Sequence, residues 1–351
     1  MERSVLARLG LVLLLLGSLV CTSSRANAQA GSESRNSFKH LVDIGGGHHL
    51  NIVCTGTGSP TVVFLQGLGS DITDWRKVRE PVAALTRTCF YDRAGFGYSD
   101  PPDKPSTADN VTDDLHALLR AAGITGRVVL VGHSLGGLFA TLYVDKFKST
   151  VAGLVLVDPS FAGQYNYTVS RKDRDAMPPD VNKWILSMQT CKELAQNDKL
   201  STSDPRDCMP SSRDINGQGL TPQEAEYLTQ QFYRPFYYTS VLSEFYNFYP
   251  KIGPGTSADG IDGDQERLHK RSFGNLPLEV LTAGTAIHNP KLSEATNEAI
   301  RDVWISGHDK LANRSTRGES IMVSNSHHFI QLDQPDRVVE AIRKIVLEAR
   351  Q

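Results

Sequence analysis

Gly132-His133-Ser134-Leu135-Gly136 sets a serine between two glycines, directly after the apolar run Val128-Val129-Leu130-Val131 and before a helix-like stretch over residues 135–143. A serine hydroxyl is a weak nucleophile until it is held exposed and given a base. A sharp strand-to-helix turn meets the first need. Small residues two before and two after the serine let the backbone close on itself, so that Oγ projects above a sheet. The pattern marks Ser134 as the candidate nucleophile. Ten histidines compete to be its base. His328 stands just beyond the last predicted strand, where loops at the carboxyl ends of parallel strands converge on active sites, and His327 shares that place. His40, His48 and His49 belong to an amino-terminal hairpin. His133 abuts the serine and would shape the turn, while His116, His269, His288 and His308 have no comparable position.

The elements that must position these groups alternate. Gly45-Gly46-Gly47 separates two short strand-like runs and reads as a hairpin. An apolar run at 61–65 then precedes a helix carrying Trp75, Val78, Val82 and Leu85. Next come a strand at 88–92, a helix at 111–122 with Asp109 near its start and Gly123 as its stop, a strand at 128–131, the helix after Ser134, and a strand at 151–157. Alternation resumes with strands at 278–283 and 320–324 and a helix at 335–347. This order predicts an α/β fold with a mostly parallel central sheet and helices on both faces. Residues 161–275 hold no convincing strand and are too many for a structureless loop, so they predict an inserted, mainly helical cap. Val181, Trp184, Ile185 and Met188 recur at helical spacing, and Thr221-Pro222-Gln223-Glu224 has the form of a capping box. The aromatic-rich stretch from Phe232 to Tyr249 predicts cap core, with a minority of its rings over the serine. Residues 253–263, rich in Gly, Ser and Asp, predict a mobile loop.

Arg3 and Arg8 precede a largely apolar stretch at 9–20, and Ala26-Asn27-Ala28 has the small residues of a secretory cleavage site. The domain order expected is therefore a signal peptide at 1–28, core at 29–160, cap at 161–275 and core at 276–351. The 9–20 stretch is too short to span a bilayer comfortably, and no later segment is apolar enough. Cys21 raises lipidation as a minor alternative, but Val20 stands where a lipoprotein signal wants a small residue. With 37 Lys+Arg against 39 Asp+Glu and no long charge run, nothing in the charge pattern invites nucleic acid. Cys54, Cys89, Cys191 and Cys208 remain after the signal, an even number in an oxidising compartment. Cys54 ends one strand-like run and Cys89 sits in another, so adjacent strands would bring them together, and Cys191 and Cys208 lie close within the insert; two disulfides are expected. Zinc is the rival reading, and no pair shows close metal-ligand spacing.

Taken together, the chain resembles the α/β-hydrolase family over 38–160 and 276–347. The resemblance is carried by Gln66-Gly67-Leu68-Gly69, where members usually have His-Gly, by Tyr91-Asp92-Arg93-Ala94-Gly95-Phe96-Gly97-Tyr98-Ser99, by Gly132 to Gly137, and by His328-Phe329-Ile330-Gln331-Leu332-Asp333-Gln334-Pro335. It implies that His328, and not His327, is the base. It also implies that the backbone N–H groups of Leu68 and Leu135 form the oxyanion hole, and that residues 92–99 are a supporting turn. Many members place the acid after the penultimate strand, but Thr285-Ala286-Ile287-His288-Asn289-Pro290 has no carboxylate. A family variation takes it from the end of the strand after the nucleophile helix, which here is Asp158. Asp302 and Asp309 are the substitutes, and a turn cap is the structural alternative for Asp158.

The chemistry implied is acyl transfer through Ser134, His328 and Asp158, with no cofactor and no metal. The expected function is a secreted or periplasmic serine hydrolase cleaving a carboxylic ester of a small or medium apolar molecule. A proline-type aminopeptidase, a lactonase and a carbon–carbon bond hydrolase use the same machinery. A peptidase would need an anionic cap residue for the substrate amine, such as Glu224, Glu226 or Glu244. Serine at 134 argues against haloalkane dehalogenase or epoxide hydrolase chemistry, which the resemblance associates with aspartate there. A catalytically inert ligand-binding or interaction protein of the same fold is the alternative from another class.

Overall fold

The computed structural model describes residues 38–167, 173, 179–201, 208, 219–250, 259–285 and 288–351. The segment expected to be a signal peptide lies outside them. Among the described residues the strands are β1 (Leu41–Asp43), β2 (His49–Thr55), β3 (Thr61–Leu65), β4 (Thr88–Tyr91), β5 (Val128–His133), β6 (Val151–Val157), β7 (Leu278–Ala283) and β8 (Gly318–Val323). They form one sheet in the order β1-β2-β4-β3-β5-β6-β7-β8. The hairpin strands β1 and β2 run antiparallel to their neighbours, and the pairings from β4 through β8 are parallel. Cys54 and Cys89 are register partners across β2 and β4 and are joined by a disulfide.

Period-two alternation sends neighbouring side chains to opposite faces of a strand. Because the central strands of this sheet are covered on both faces, they are apolar at most positions. Leu65, Leu130 and Leu156 join one cluster with α2 (Ala108–Ala121) and α3 (Leu135–Phe147). Phe64, Val131 and Val157 join the other with α1 (Arg76–Ala83). Phe64 is fully buried and stacks on Phe90 at 4.6 Å. Burial of such a side chain contributes roughly 2–3 kcal/mol. Helix α2 begins earlier than the expected start at Val111, because the Thr107 side chain accepts the Asn110 N–H and starts the helix one turn sooner.

Between β6 and β7 the chain is helical: α4 (Pro179–Gln196), α5 (Pro222–Phe232), α6 (Pro235–Phe248) and α7 (Gly260–His269). Thr221 and Glu224 form the reciprocal capping box at the start of α5. Trp184 of α4 stacks on Phe245 of α6 at 3.7 Å, and a Cys191–Cys208 disulfide ties the same cluster. Tyr237, Tyr238, Phe245 and Phe248 are buried, whereas Tyr233 is exposed. Of the stretch expected to be mobile, residues 253–258 lie outside the described residues and Gly260 to Gly263 form the first turn of α7. That helix docks on the core: Asp262 accepts the Ala108 N–H at 2.7 Å and Gln265 the Asp109 N–H at 2.8 Å, satisfying free donors at the start of α2. After β7 come α8 (Glu294–Ala312), β8, and α9 (Pro335–Ala349), whose Val338, Ile342 and Val346 pack beside Val78 and Val82 of α1. Among the described residues, no helix is long and apolar enough to cross a membrane.

Candidate active site

Ser134 sits between β5 and α3 with φ 52° and ψ −124°, a conformation that costs about 1–3 kcal/mol for a residue other than glycine. The tightness of the turn explains its glycines. A Cβ on Gly132 would stand 2.4 Å from the Gly136 carbonyl oxygen, and one on Gly136 would stand 2.3 Å from the Leu65 carbonyl oxygen. The turn is held by Ser134 N–H to Val157 O at 3.2 Å and by Ser160 N–H to Ser134 O at 2.9 Å.

Register brings Asp158 to the neighbouring strand end, since His133 pairs with Val157 across β5 and β6. Asp158 also has a positive φ, 43°. Its Oδ2 lies 2.6 Å from His328 Nδ1. Oδ1 accepts the Ala283 N–H at 2.9 Å and the Trp304 indole N–H at 3.0 Å. Burial pushes the Asp158 carboxyl up, but the bond and charge of His328 outweigh it and hold the group below its ordinary value. An Nδ1–H donated to Asp158 leaves the His328 Nε2 lone pair free to take a proton. His327, by contrast, is exposed and pairs with Asp333. Asp302 and Asp309 lie exposed on α8.

His133 links the nucleophile turn to the histidine loop. Its Nε2 donates to the His328 carbonyl at 3.0 Å, and the two rings are 4.7 Å apart. Burial, reinforced by the neighbouring His328, pushes the His133 pKa down to about 3. It is therefore a neutral brace. His308, given no role by its sequence position, is wholly buried beneath the acid. Its Nε2 donates to Pro159 O at 2.9 Å, and Nδ1 accepts from Thr282 Oγ1 at 2.7 Å. Trp304 was not foreseen either. The one signal in the sequence is the spacing of Trp304 and His308, four residues apart on one helix face.

Leu68 lies in the loop after β3, and Leu135 opens α3, where N–H groups lack intrahelical acceptors. The loop before Leu68 packs against the turn that carries Ser134. A Cβ on Gly67 would be 3.1 Å from His133 Nδ1 and 3.2 Å from Ser134 Cβ. Gln66, in place of the family's usual histidine, donates its Nε2 to Tyr91 O at 3.1 Å and so braces this loop. The turn at 92–99 supports it from below: buried Asp92 accepts from Tyr227 Oη at 2.6 Å, Asn51 Nδ2 at 2.8 Å and the Tyr98 N–H at 3.0 Å. Of the anionic residues considered for a substrate amine, Glu244 is buried against Arg93 and Glu224 is engaged with Thr221 and Arg79. Glu226 bonds Gln230 at an exposed site. Among the described residues, no three His, Cys, Asp or Glu side chains gather as a metal site requires.

A model of the alpha/beta hydrolase fold matches residues 60–335. The YqjL protein of Bacillus subtilis is 31% identical over 113 residues, covering 32% of this chain and 45% of that protein. A (lyso)-N-acylphosphatidylethanolamine lipase of Mus musculus is 32% identical over 101 residues, covering 28% of this chain and 30% of the lipase. The chain thus spans less than half the length of these curated relatives. Among solved structures, the haloalkane dehalogenase DatA of Agrobacterium tumefaciens superposes with a TM-score of 0.60 at 16% identity, over 88% of this chain and 96% of its own. That likeness speaks for the fold alone. With the family model spanning most of its length over an eight-stranded, mostly parallel sheet, the chain belongs to the alpha/beta hydrolase family.

Proposed function

We propose that this hydrolase is a secreted or periplasmic serine esterase acting on small or medium apolar carboxylic esters through Ser134, His328 and Asp158. The observation that carries the reading is the 2.6 Å contact between Asp158 Oδ2 and His328 Nδ1 beside a serine in a strained strand-to-helix turn. Ser134 Oγ attacks the ester carbonyl while His328 Nε2 takes its proton. Asp158 fixes the tautomer and stabilises the imidazolium. The N–H groups of Leu68 and Leu135 stabilise the oxyanion, an interaction for which one donor is worth about 3 kcal/mol. His328 then returns its proton to the departing alcohol, and water, activated by the same nitrogen, releases the acid. Residues 161–275 form the cap, and residues 1–28 a cleaved signal. The Cys54–Cys89 and Cys191–Cys208 disulfides support an oxidising destination.

Two of the three carboxylates considered for a substrate amine, Glu224 and Glu244, are buried in contacts of their own, which argues against the aminopeptidase reading. The pairing of Asp158 with His328 supports the enzymatic reading over an inert fold, whose main argument is the lack of a carboxylate at 285–290. Purified protein should react with a fluorophosphonate probe and hydrolyse p-nitrophenyl esters, and Ser134→Ala should abolish both. Asp158→Asn should lower kcat by about 10³–10⁴, as loss of the orienting carboxylate does in serine hydrolases, with Asp302→Asn and Asp309→Asn near wild type. Full turnover by Ser134→Ala would falsify the mechanism, and near-normal turnover by Asp158→Asn would remove that residue from it.

A further inference from the structure

The loop that carries Leu68 is fastened by a charge pair whose anionic half comes from the helical insert. Arg93, in the turn after β4, and Glu244, on α6, are both buried and lie 151 residues apart in sequence. Arg93 Nε donates to Glu244 Oε1 at 2.6 Å and Nη2 to Glu244 Oε2 at 3.1 Å. The same guanidinium reaches the loop: Nη1 donates to Gln66 O at 2.9 Å and Nη2 to Gly67 O at 2.9 Å. Glu244 Oε2 in turn accepts the Gly69 N–H at 2.9 Å. The peptide groups on either side of Leu68 are thus gripped by one ion pair, the carbonyls by the cation and the following amide by the anion.

We propose that Glu244 is a positioning residue for the oxyanion loop, acting with Arg93 to aim the Leu68 N–H at the carbonyl oxygen of the substrate. This rests on the proposed serine esterase mechanism. Glu244 touches no reacting atom; it fixes the peptide planes flanking the donor. A carboxylate suits the task because both oxygens must accept at once, Oε1 from Arg93 and Oε2 from Arg93 and Gly69. A glutamine offers one acceptor oxygen and turns an NH₂ group toward the remaining donors. Electrostatic stabilisation of an oxyanion depends on donors already aimed before charge develops. Release of this grip should therefore weaken transition-state binding more than substrate binding.

The test measures kcat and KM on p-nitrophenyl butyrate, per fluorophosphonate-titrated site, together with inhibition by an alkyl trifluoromethyl ketone, whose hemiketal oxyanion occupies the same hole. Glu244→Gln is expected to lower kcat 10- to 100-fold with KM within threefold, and to weaken the ketone by the same factor as kcat/KM. A merely structural role would lower the yield of folded protein and leave kcat per titrated site and ketone affinity unchanged. Arg93→Met with Glu244→Met replaces the buried pair by apolar side chains of similar length and avoids a stranded charge. It supplies the same reading if the single variant does not fold. Wild-type kcat and ketone affinity in either folded variant would overturn the proposal while Ser134→Ala remains dead. If Ser134→Ala retains turnover, the mechanism beneath it fails instead.

Discussion

Trp304→Phe isolates one support of the acid. The substitution keeps an aromatic ring in contact with Phe161 and His308 but deletes the indole N–H that donates to Asp158 Oδ1 at 3.0 Å. That oxygen keeps the Ala283 N–H at 2.9 Å, and Oδ2 keeps His328. A hydrogen bond to a charged group contributes about 1.5–3 kcal/mol, and Asp158 is 2% exposed, so water does not readily replace the lost donor. Loss of a donor to the charged form raises the Asp158 pKa. From a starting point below the ordinary value, the carboxyl remains ionised at pH 8, and the damage falls on its orientation. The expected result is a decrease in kcat of about tenfold, equivalent to about 1.4 kcal/mol, with KM little changed. Stability gives an independent readout. A depressed carboxyl pKa contributes stability above the unfolded-state value, which is lost as pH falls through the folded-state value. The urea midpoint of Trp304→Phe should therefore lie below wild type at pH 7, and the gap should narrow in acid below the ordinary Asp range. A folded Trp304→Phe with wild-type kcat and an unchanged midpoint at pH 7 would refute the idea that the indole holds the acid.

His133→Gln keeps a side-chain donor for the His328 carbonyl and removes a buried base. With a folded pKa of about 3 against an ordinary 6.5, wild-type His133 is protonated far more readily when unfolded, so its contribution to stability is fully present above pH 6.5 and is lost as pH falls toward 3. At pH 5 the difference is about 2 kcal/mol, and denaturant titrations should show wild type losing that much relative to His133→Gln between pH 7 and pH 5. Parallel pH profiles for the two proteins would contradict the assignment. Cys54→Ser with Cys89→Ser opens a loop closed across 35 residues, for which loop-closure entropy predicts a cost of about 4 kcal/mol. Dithiothreitol should lower the wild-type thermal midpoint toward that of the double variant and leave the variant's own response limited to the Cys191–Cys208 bond.

Much of this architecture is legible because local rules suffice for it. The run Val128 to Val131 is apolar at every position since both faces of its strand are covered, and the glycines around Ser134 are the residues that a tight turn demands. The capping box at Thr221 follows from three residues of spacing. Asp158 required more. Its sequence neighbourhood, Leu156-Val157-Asp158-Pro159, states only that a strand ends there, and family resemblance supplied the role. The residues that brace the site were not legible. Trp304 reaches Asp158 across 146 residues and Glu244 reaches Arg93 across 151, and no periodicity connects such pairs. Glu244 is misleading in isolation, because a lone acidic residue in an aromatic helix looks available to a ligand until its partner is seen. The start of α7 was hidden by composition: Gly260 and Gly263 suggest a loop, but a Cβ on Gly260 would stand 2.5 Å from the Asn247 and Phe248 carbonyl oxygens, so close packing sets that glycine.

The two halves of the proposed site are held by different parts of the molecule. Ser134 and Asp158 occupy the ends of adjacent strands, both with positive φ, and their turns share hydrogen bonds, Ser160 N–H to Ser134 O and Ser134 N–H to Val157 O, while Asp158 N–H bonds Leu281 O of β7 at 2.7 Å. His328 is fastened to both turns, through its ring to Asp158 and through its carbonyl to His133. In the proposed mechanism, proton transfer thus depends on sheet register, fixed by the buried strands β5 and β6. The Leu68 loop depends instead on α6, through Glu244, and on α5, where Gln231 accepts the Gly97 N–H and donates to Asp71. A perturbation of α6 should therefore impair oxyanion stabilisation while leaving the Asp158–His328 pair intact. In contrast, Trp304→Phe acts on that pair and leaves the loop alone. Among the described residues Trp304 and Glu244 share no hydrogen-bond partner, so their effects on kcat should multiply when the substitutions are combined. A double variant no slower than the worse single would show that sheet and insert fix the site jointly.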